Sequence, residues 1–193
     1  MATHRSSRLL LLCLSILALA HRAQCADETA NLLQGINSYR ASLNLTAFGK
    51  NDNAACFAQE LADQFKDLTC TNTSGPNTIL GTEDQLPNYP QLLSHCHLNI
   101  SNTRDGAIMP ACVPNLVPGI VLTNFTESQY TLYLNDSKYT AAGVGSDGNW
   151  IVVVLSTNTS SGSFETYNAA SFISKPGILF LLLFFFVSSL FLL

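Results

Sequence analysis

The chain has 193 residues, with nine Lys and Arg against thirteen Asp and Glu, a net charge of −4, and 47% hydrophobic residues. The apolar excess sits at the two ends, and the polar stretch of roughly 140 residues between them is long enough to bury one core. All thirteen acidic residues and five basic ones (Arg40, Lys50, Lys66, Arg104, Lys138) fall in that stretch, a net charge of −8. Such a surface repels phosphate backbones and excludes nucleic acid as a partner.

The first 25 residues carry His4, Arg5 and Arg8, an apolar run over 9–20, and then small residues. That is the order of a secretory signal peptide. A run of twelve residues is too short to span a bilayer, which takes about twenty. Cleavage near Cys25, after Ala23-Gln24-Cys25, removes Cys13 and Cys25 and leaves Cys56, Cys70, Cys96 and Cys112. Four is an even number, as an oxidising compartment requires.

Over 31–43 the residues Leu32, Leu33, Ile36, Tyr39 and Leu43 recur at helical spacing and predict one buried face. A second helix is predicted over 54–68, with Ala54, Phe57, Ala58, Leu61, Phe65 and Leu68 on one side. Asn51-Asp52-Asn53 offers capping side chains at its start. Residues 70–87, rich in Thr, Asn, Gly and Pro, read as loop. A short helix is expected over 92–96, entered at Pro90, and 101–118 is expected to be a long ordered loop covering the domain.

The second half turns to strand periodicity. Residues 120–122 and 130–134 read as short strands, and 140–145 and 150–155 flank Ser146-Asp147-Gly148-Asn149, a hairpin signal. Trp150-Ile-Val-Val-Val-Leu155 is apolar on both faces, which predicts a central strand covered on both sides. Helices first and a sheet later predict an α+β domain over 26–156, with helices packed on both faces of a mostly antiparallel sheet. Residues 157–168, rich in Ser, Thr and Asn, are expected to form a stalk.

The C-terminus closes on Asn168-Ala169-Ala170, a nine-residue spacer over 169–177, and sixteen residues that are apolar apart from Ser188 and Ser189. Small triplet, spacer and apolar tail make a glycosylphosphatidylinositol (GPI) attachment signal. Asn168 is the expected attachment residue, Ser171 leaves a shorter spacer, and 169–193 is the expected discarded propeptide. Six N-x-S/T sequons, at Asn44, Asn72, Asn99, Asn124, Asn135 and Asn158, are expected to carry N-glycans on the surface.

Ile36-Asn37-Ser38-Tyr39-Arg40, Leu45, Ala54-Ala55-Cys56-Phe57-Ala58 and Leu61-Ala62 resemble the opening helices of the CAP superfamily (cysteine-rich secretory, antigen 5, pathogenesis-related 1). Tyr139-Thr-Ala-Ala-Gly143-Val-Gly145 before Trp150-Ile-Val-Val-Val154 resembles that family's closing strands. Thr103-Arg-Asp-Gly106, Ile108-Met-Pro-Ala-Cys-Val-Pro114, Leu122-Thr-Asn-Phe-Thr126 and Leu134-Asn-Asp-Ser-Lys138 resemble a plant family of GPI-anchored proteins. The CAP resemblance implies an α-β-α sandwich. Metal-binding CAP proteins carry a His-Ser after the second helix and a Gly-His-Tyr-Thr-Gln stretch before the last strands. This chain has neither, which argues against that metal site.

Few residues invite chemistry. Gly143-Val-Gly145-Ser-Asp-Gly148 matches a dinucleotide fingerprint in spacing alone, because β-branched residues rather than a helix follow it. His95 and His97 flank Cys96 and could share one side of an extended segment, with Glu83, Asp84 or Asp105 as a third zinc ligand. Cys96 is expected to be oxidised, so no metal and no cofactor is expected. Glu60, Asp63 and Asp67 read as a solvated helix face, and Arg104-Asp105-Gly106 as a turn with a local ion pair. There is no Gly-x-Ser-x-Gly elbow. A helix over 54–68 would hold Cys56 and Cys70 about 20 Å apart, whereas a bridge needs α-carbons within about 7 Å. Each therefore pairs with Cys96 or Cys112, in either arrangement. The expectation is a GPI-anchored, N-glycosylated, non-catalytic binding or signalling module on the plasma membrane, taking a cell-wall polymer, a lipid or sterol-like ligand, or a protein. The alternative is an anchored hydrolase using Glu, Asp and His side chains that the sequence does not assign.

Overall fold

The computed structural model describes residues 28–70 and 88–166. The apolar run at 150–155 becomes the heart of a four-stranded sheet, ordered β1-β3-β4-β2. Its strands are β1 (Gly49–Lys50), β2 (Ala107–Cys112), β3 (Tyr139–Asp147) and β4 (Trp150–Thr157). β4 runs antiparallel to both β2 and β3, and β1 joins the β3 edge in parallel. Every residue of β4 is buried. Successive side chains take opposite faces: Ile151, Val153 and Leu155 enter one core, and Val152 and Val154 enter the other.

The first core is roofed by α1 (residues 28–42), α5 (Pro118–Thr126) and α6 (Thr131–Leu134), through Leu32, Ile36, Val121, Phe125 and Leu134. The second is roofed by α2 (Asp52–Phe65) and α3 (Tyr89–His95). A further turn of helix, α4 (Ile100–Thr103), leads into β2. The result is the helix–sheet–helix sandwich expected.

α2 begins where its cap says it should, the Asn51 side chain accepting from the Ala54 N–H at 3.0 Å. Its buried stripe is Ala54, Phe57, Ala58, Leu61 and Ala62. The small residues matter because the helix lies on glycine. A Cβ on Gly143 would fall 2.0 Å from the Ala55 nitrogen, and one on Gly145 would fall 2.3 Å from the Gln59 nitrogen. The fingerprint-like glycines are therefore a packing device. The Gln59 side chain continues the contact, donating to Ser146 O at 3.0 Å and accepting from Ser146 N–H at 3.2 Å. Asp147 and Trp150 pair across the two-residue turn, with Gly148 at φ +58°. Cys56 bridges Cys96, and Cys70 bridges Cys112. This is one of the two pairings left open by helix length.

Three expectations are corrected. Residues 120–122 and 130–134 are not strands but lie in α5 and α6. Pro118 presets the first helical turn, and the buried residues Val121 and Phe125 stand four apart, as a helix face requires. Residues 101–118 are not a covering loop: they hold α4 and β2. β2 alternates buried with more open positions, and it tolerates Pro110 because it is an edge strand. The stretch from 157 does not leave the domain as a stalk. Phe164 is 1% exposed and packs on Phe57, and the Asn51 and Asn53 side chains donate to the Ser163 and Phe164 carbonyls at 2.9 and 2.8 Å. Helix ends also shift: α1 stops at residue 42 and α2 at Phe65, so Leu43 and Leu68 are exposed rather than part of the buried stripes. Residues 1–27, which include the expected signal peptide 1–25, and residues 71–87 and 167–193 lie outside the described residues.

Candidate functional site

Three separate segments meet at one end of the first core. The opening of α1 supplies Glu28, Asn31 and Leu32, the turn after β2 supplies Leu116, and α5 supplies Pro118, Gly119, Val121 and Leu122. Ile151 of β4 forms the floor. Together they enclose a cleft of about 230 Å³. The turn is shaped by Asn115 and Leu116, both at positive φ, and the Asn149 side chain holds it by accepting from Asn115 N–H at 2.9 Å. α1 and α5 meet closely behind the cleft because Gly35 has no side chain: a Cβ there would touch Leu122 at 3.0 Å.

The chemistry of this wall is plain. Only Glu28 and Asn31 are polar, and the exposed Val117 and Ile120 extend the apolar surface beside the lining residues. No lining side chain is aromatic. The space is smaller than a drug-sized pocket of about 300 Å³ or more, and it suits a short aliphatic chain or a compact ring system.

The residues singled out for chemistry lie elsewhere. His95 sits at the end of α3, not on an extended segment, and its Nδ1 lies 3.1 Å from the Glu60 carboxylate of α2. Those side chains are 63% and 33% exposed, so the pair is open to water and on the opposite sheet face from the cleft. His97 is exposed and in the left-handed region. Asp105 accepts from the Ser161 hydroxyl and lies beside Arg104, away from His95 in its hydrogen bonding. Glu83 and Asp84 lie outside the described residues. Among the described residues no three His, Cys, Asp or Glu side chains converge as a metal would need.

The acidic face of α2 is more differentiated than its sequence implies. A hydrogen bond from Lys66 at 2.7 Å holds the Asp63 carboxyl below its usual range. Burial pushes Asp147 of the hairpin up, and a hydrogen bond with Asp63 pushes it the same way. Asp67 is exposed. Of the sequons, Asn44, Asn135 and Asn158 are exposed and Asn99 caps α4, its side chain accepting from Ser101 and Asn102. Asn124 is half-buried on α5, while Asn72 and Asn168 fall outside the described residues. The cleft itself was absent from the sequence reading, since its walls come from residues 28–32, 116–122 and 151.

Known proteins resemble the chain in sequence and in fold. The family model described as "Uncharacterized GPI-anchored protein At5g19230-like domain" matches residues 29–155. The chain is 58% identical over 159 residues to the Arabidopsis thaliana protein described as "Uncharacterized GPI-anchored protein At3g06035", over 81% of this chain and 80% of that one. Among solved structures, an extracellular protein containing an SCP domain from Bacillus anthracis str. Ames superposes with a TM-score of 0.51 at 16% identity, covering 68% of this chain and 40% of that one. A cysteine-rich secretory protein from Staphylococcus aureus subsp. aureus Mu50 gives 0.47 at 15% identity, over 68% and 38%. The chain thus spans well under half the length of these bacterial proteins. At such identity the first of them speaks to the fold alone, an SCP domain, as the CAP resemblance implied. The chain belongs to the At5g19230-like family of GPI-anchored proteins, held at the outer face of the plasma membrane.

Proposed function

We propose that the chain is a lipid-anchored, N-glycosylated extracellular module that binds a small apolar ligand in the cleft between α1 and α5. One observation carries this: a cleft of about 230 Å³ walled by Leu32, Leu116, Pro118, Val121, Leu122 and Ile151, with only Glu28 and Asn31 to orient a polar end. Among the ligands the sequence leaves open, a lipid offering a short aliphatic chain fits best. A cell-wall polymer would ask for more hydrogen-bonding groups than two. The hydrolase alternative draws no support from the His95–Glu60 pair, which stands in open solvent away from the cleft. Attachment at Asn168, glycans at the six sequons and removal of residues 1–25 complete this reading. Asn168→Trp with Ser171→Trp then abolishes anchoring, and phosphatidylinositol-specific phospholipase C releases the parent from intact membranes.

Gly119 offers a clean test of the ligand, because a Cβ there meets nothing within 4 Å. Gly119 lines the cleft, so Gly119→Trp sets a bulky side chain at its wall without a clash at the Cβ. A lipid and glycan array probed with the deglycosylated ectodomain then gives apolar ligands retained by the parent and lost by the variant, with thermal stability unchanged. Binding that survives Gly119→Trp, or that falls on glycans alone, overturns the cleft as the site.

A further inference from the structure

The chain leaves the folded domain at one end of the sheet, and the cleft opens at the other. β2 and β4 run antiparallel, with Ala107 opposite Leu155 and Cys112 opposite Trp150. The C-terminal segment closes over the Ala107 end. Asp105 N–H donates to Ser161 O at 2.9 Å, Phe164 N–H to Asn102 O at 3.1 Å, and the Asn102 side chain to Glu165 O. The cleft belongs to the Cys112 end, where Leu116 follows β2 and Ile151 opens β4. Five steps along β2 at about 3.3 Å each put roughly 17 Å between these ends.

We infer that the end built by α4 and residues 158–165 faces the outer leaflet, and that the cleft faces away from it. The inference rests on lipid attachment at Asn168. The Glu165 carbonyl is still held by Asn102, so three residue steps join the last fastened group to the anchor. Fully extended they reach about 11 Å, less than the length of β2. The peptide part of the tether therefore joins the anchor directly to the α4 end and does not by itself span the sheet to the cleft end. The surface at the near end suits that neighbour, with Ile100 57% exposed and the Arg104 side chain 73% exposed beside it in the chain. Asn99 opens α4 and Asn158 follows β4 at the same end. Glycans on these two residues flank the end that carries Ile100 and Arg104.

The test uses the full chain displayed on cells, carrying Arg104→Cys or Asp67→Cys labelled with a donor dye, against an acceptor on outer-leaflet headgroups. Both positions are exposed. Asp67 marks the far end, next to Leu68, whose carbonyl accepts from the Trp150 indole at 3.1 Å. Energy transfer from position 104 exceeds that from 67 several-fold. A flexible Gly/Ser insert of about 12 residues after Glu165 reduces the two toward equality. Equal transfer without the insert, or more from position 67, overturns the orientation while the anchor stands. The lipase applied to the same cells releases both labels; retention of both overturns the anchor reading and the orientation with it.

Discussion

The guanidinium of Arg40 lies 3.8 Å from the centre of the Phe48 ring. Arg40 is 2% exposed, yet it donates to carbonyls: Nε to Thr46 O at 2.8 Å and Nη1 to Leu134 O. Burial pushes its pKa below the ordinary guanidinium range, and Asp136 opposes the shift. One side chain thereby joins α1, the approach to β1 and the end of α6. Arg40→Ala leaves those carbonyls without a donor and removes the ring contact, and it lowers ectodomain stability by about 3 kcal/mol. Arg40→Lys recovers only part of this, because an ammonium cannot present the same planar fork. Urea unfolding of the three proteins measures both.

Glycine substitutions separate the two kinds of site. Gly143→Ala and Gly145→Ala set a methyl group against α2 backbone, which cannot yield without moving the helix, so each destabilises by about 3 kcal/mol. Gly119→Ala stands in a helix with open space around it and stabilises by up to about 1 kcal/mol. Thermal melts that ranked these three alike would contradict the close approach of α2 to β3.

Non-reducing peptide maps recover Cys56 with Cys96 and Cys70 with Cys112. Paired serine replacement of Cys56 and Cys96, which are 40 residues apart, lowers stability by about 4 kcal/mol through the freed unfolded chain. The loss reads out as a lower urea midpoint.

Acid titration separates Asp147 from Asp63. Burial raises Asp147, so the folded protein holds that proton more tightly than the unfolded chain does. The stability it contributes is present below the ordinary carboxylate pKa and is lost as pH rises through its folded value. Asp63, lowered by Lys66, has the opposite sign: its contribution is present at neutral pH and lost as pH falls through its folded value. Asp147→Asn accordingly raises the melting temperature at neutral pH, and its advantage over the parent shrinks toward zero in acid. A constant advantage at every pH would assign the effect to the turn instead.

What the sequence made legible were elements with a strong local signature. Asn51 followed by a stripe of small and aromatic residues marks α2, and Asp147-Gly148 between β-branched runs marks the hairpin. Three apolar residues at 120–122 carry no period, so helix and strand look alike there. Pro110 concealed β2 although Ala107, Met109 and Ala111 alternate with more open positions. Phe164 was lost among serines, and its burial depends on Phe57, more than a hundred residues earlier. The cleft was illegible for the same reason: nothing local to Leu32 announces Leu122 or Ile151.

A lipid-anchored protein is confined to a surface, where copies meet at high local density and an unpaired strand edge would template stacking. Each edge of this sheet is blocked at specific points. On one side β1 covers only the start of β3, and the Gln59 amide occupies both backbone groups of Ser146 further along. On the other, Pro110 has no N–H to offer, and the Tyr130 hydroxyl donates to its carbonyl at 2.7 Å. Neighbouring copies confined to a membrane therefore find fewer backbone groups along either edge with which to build a ladder.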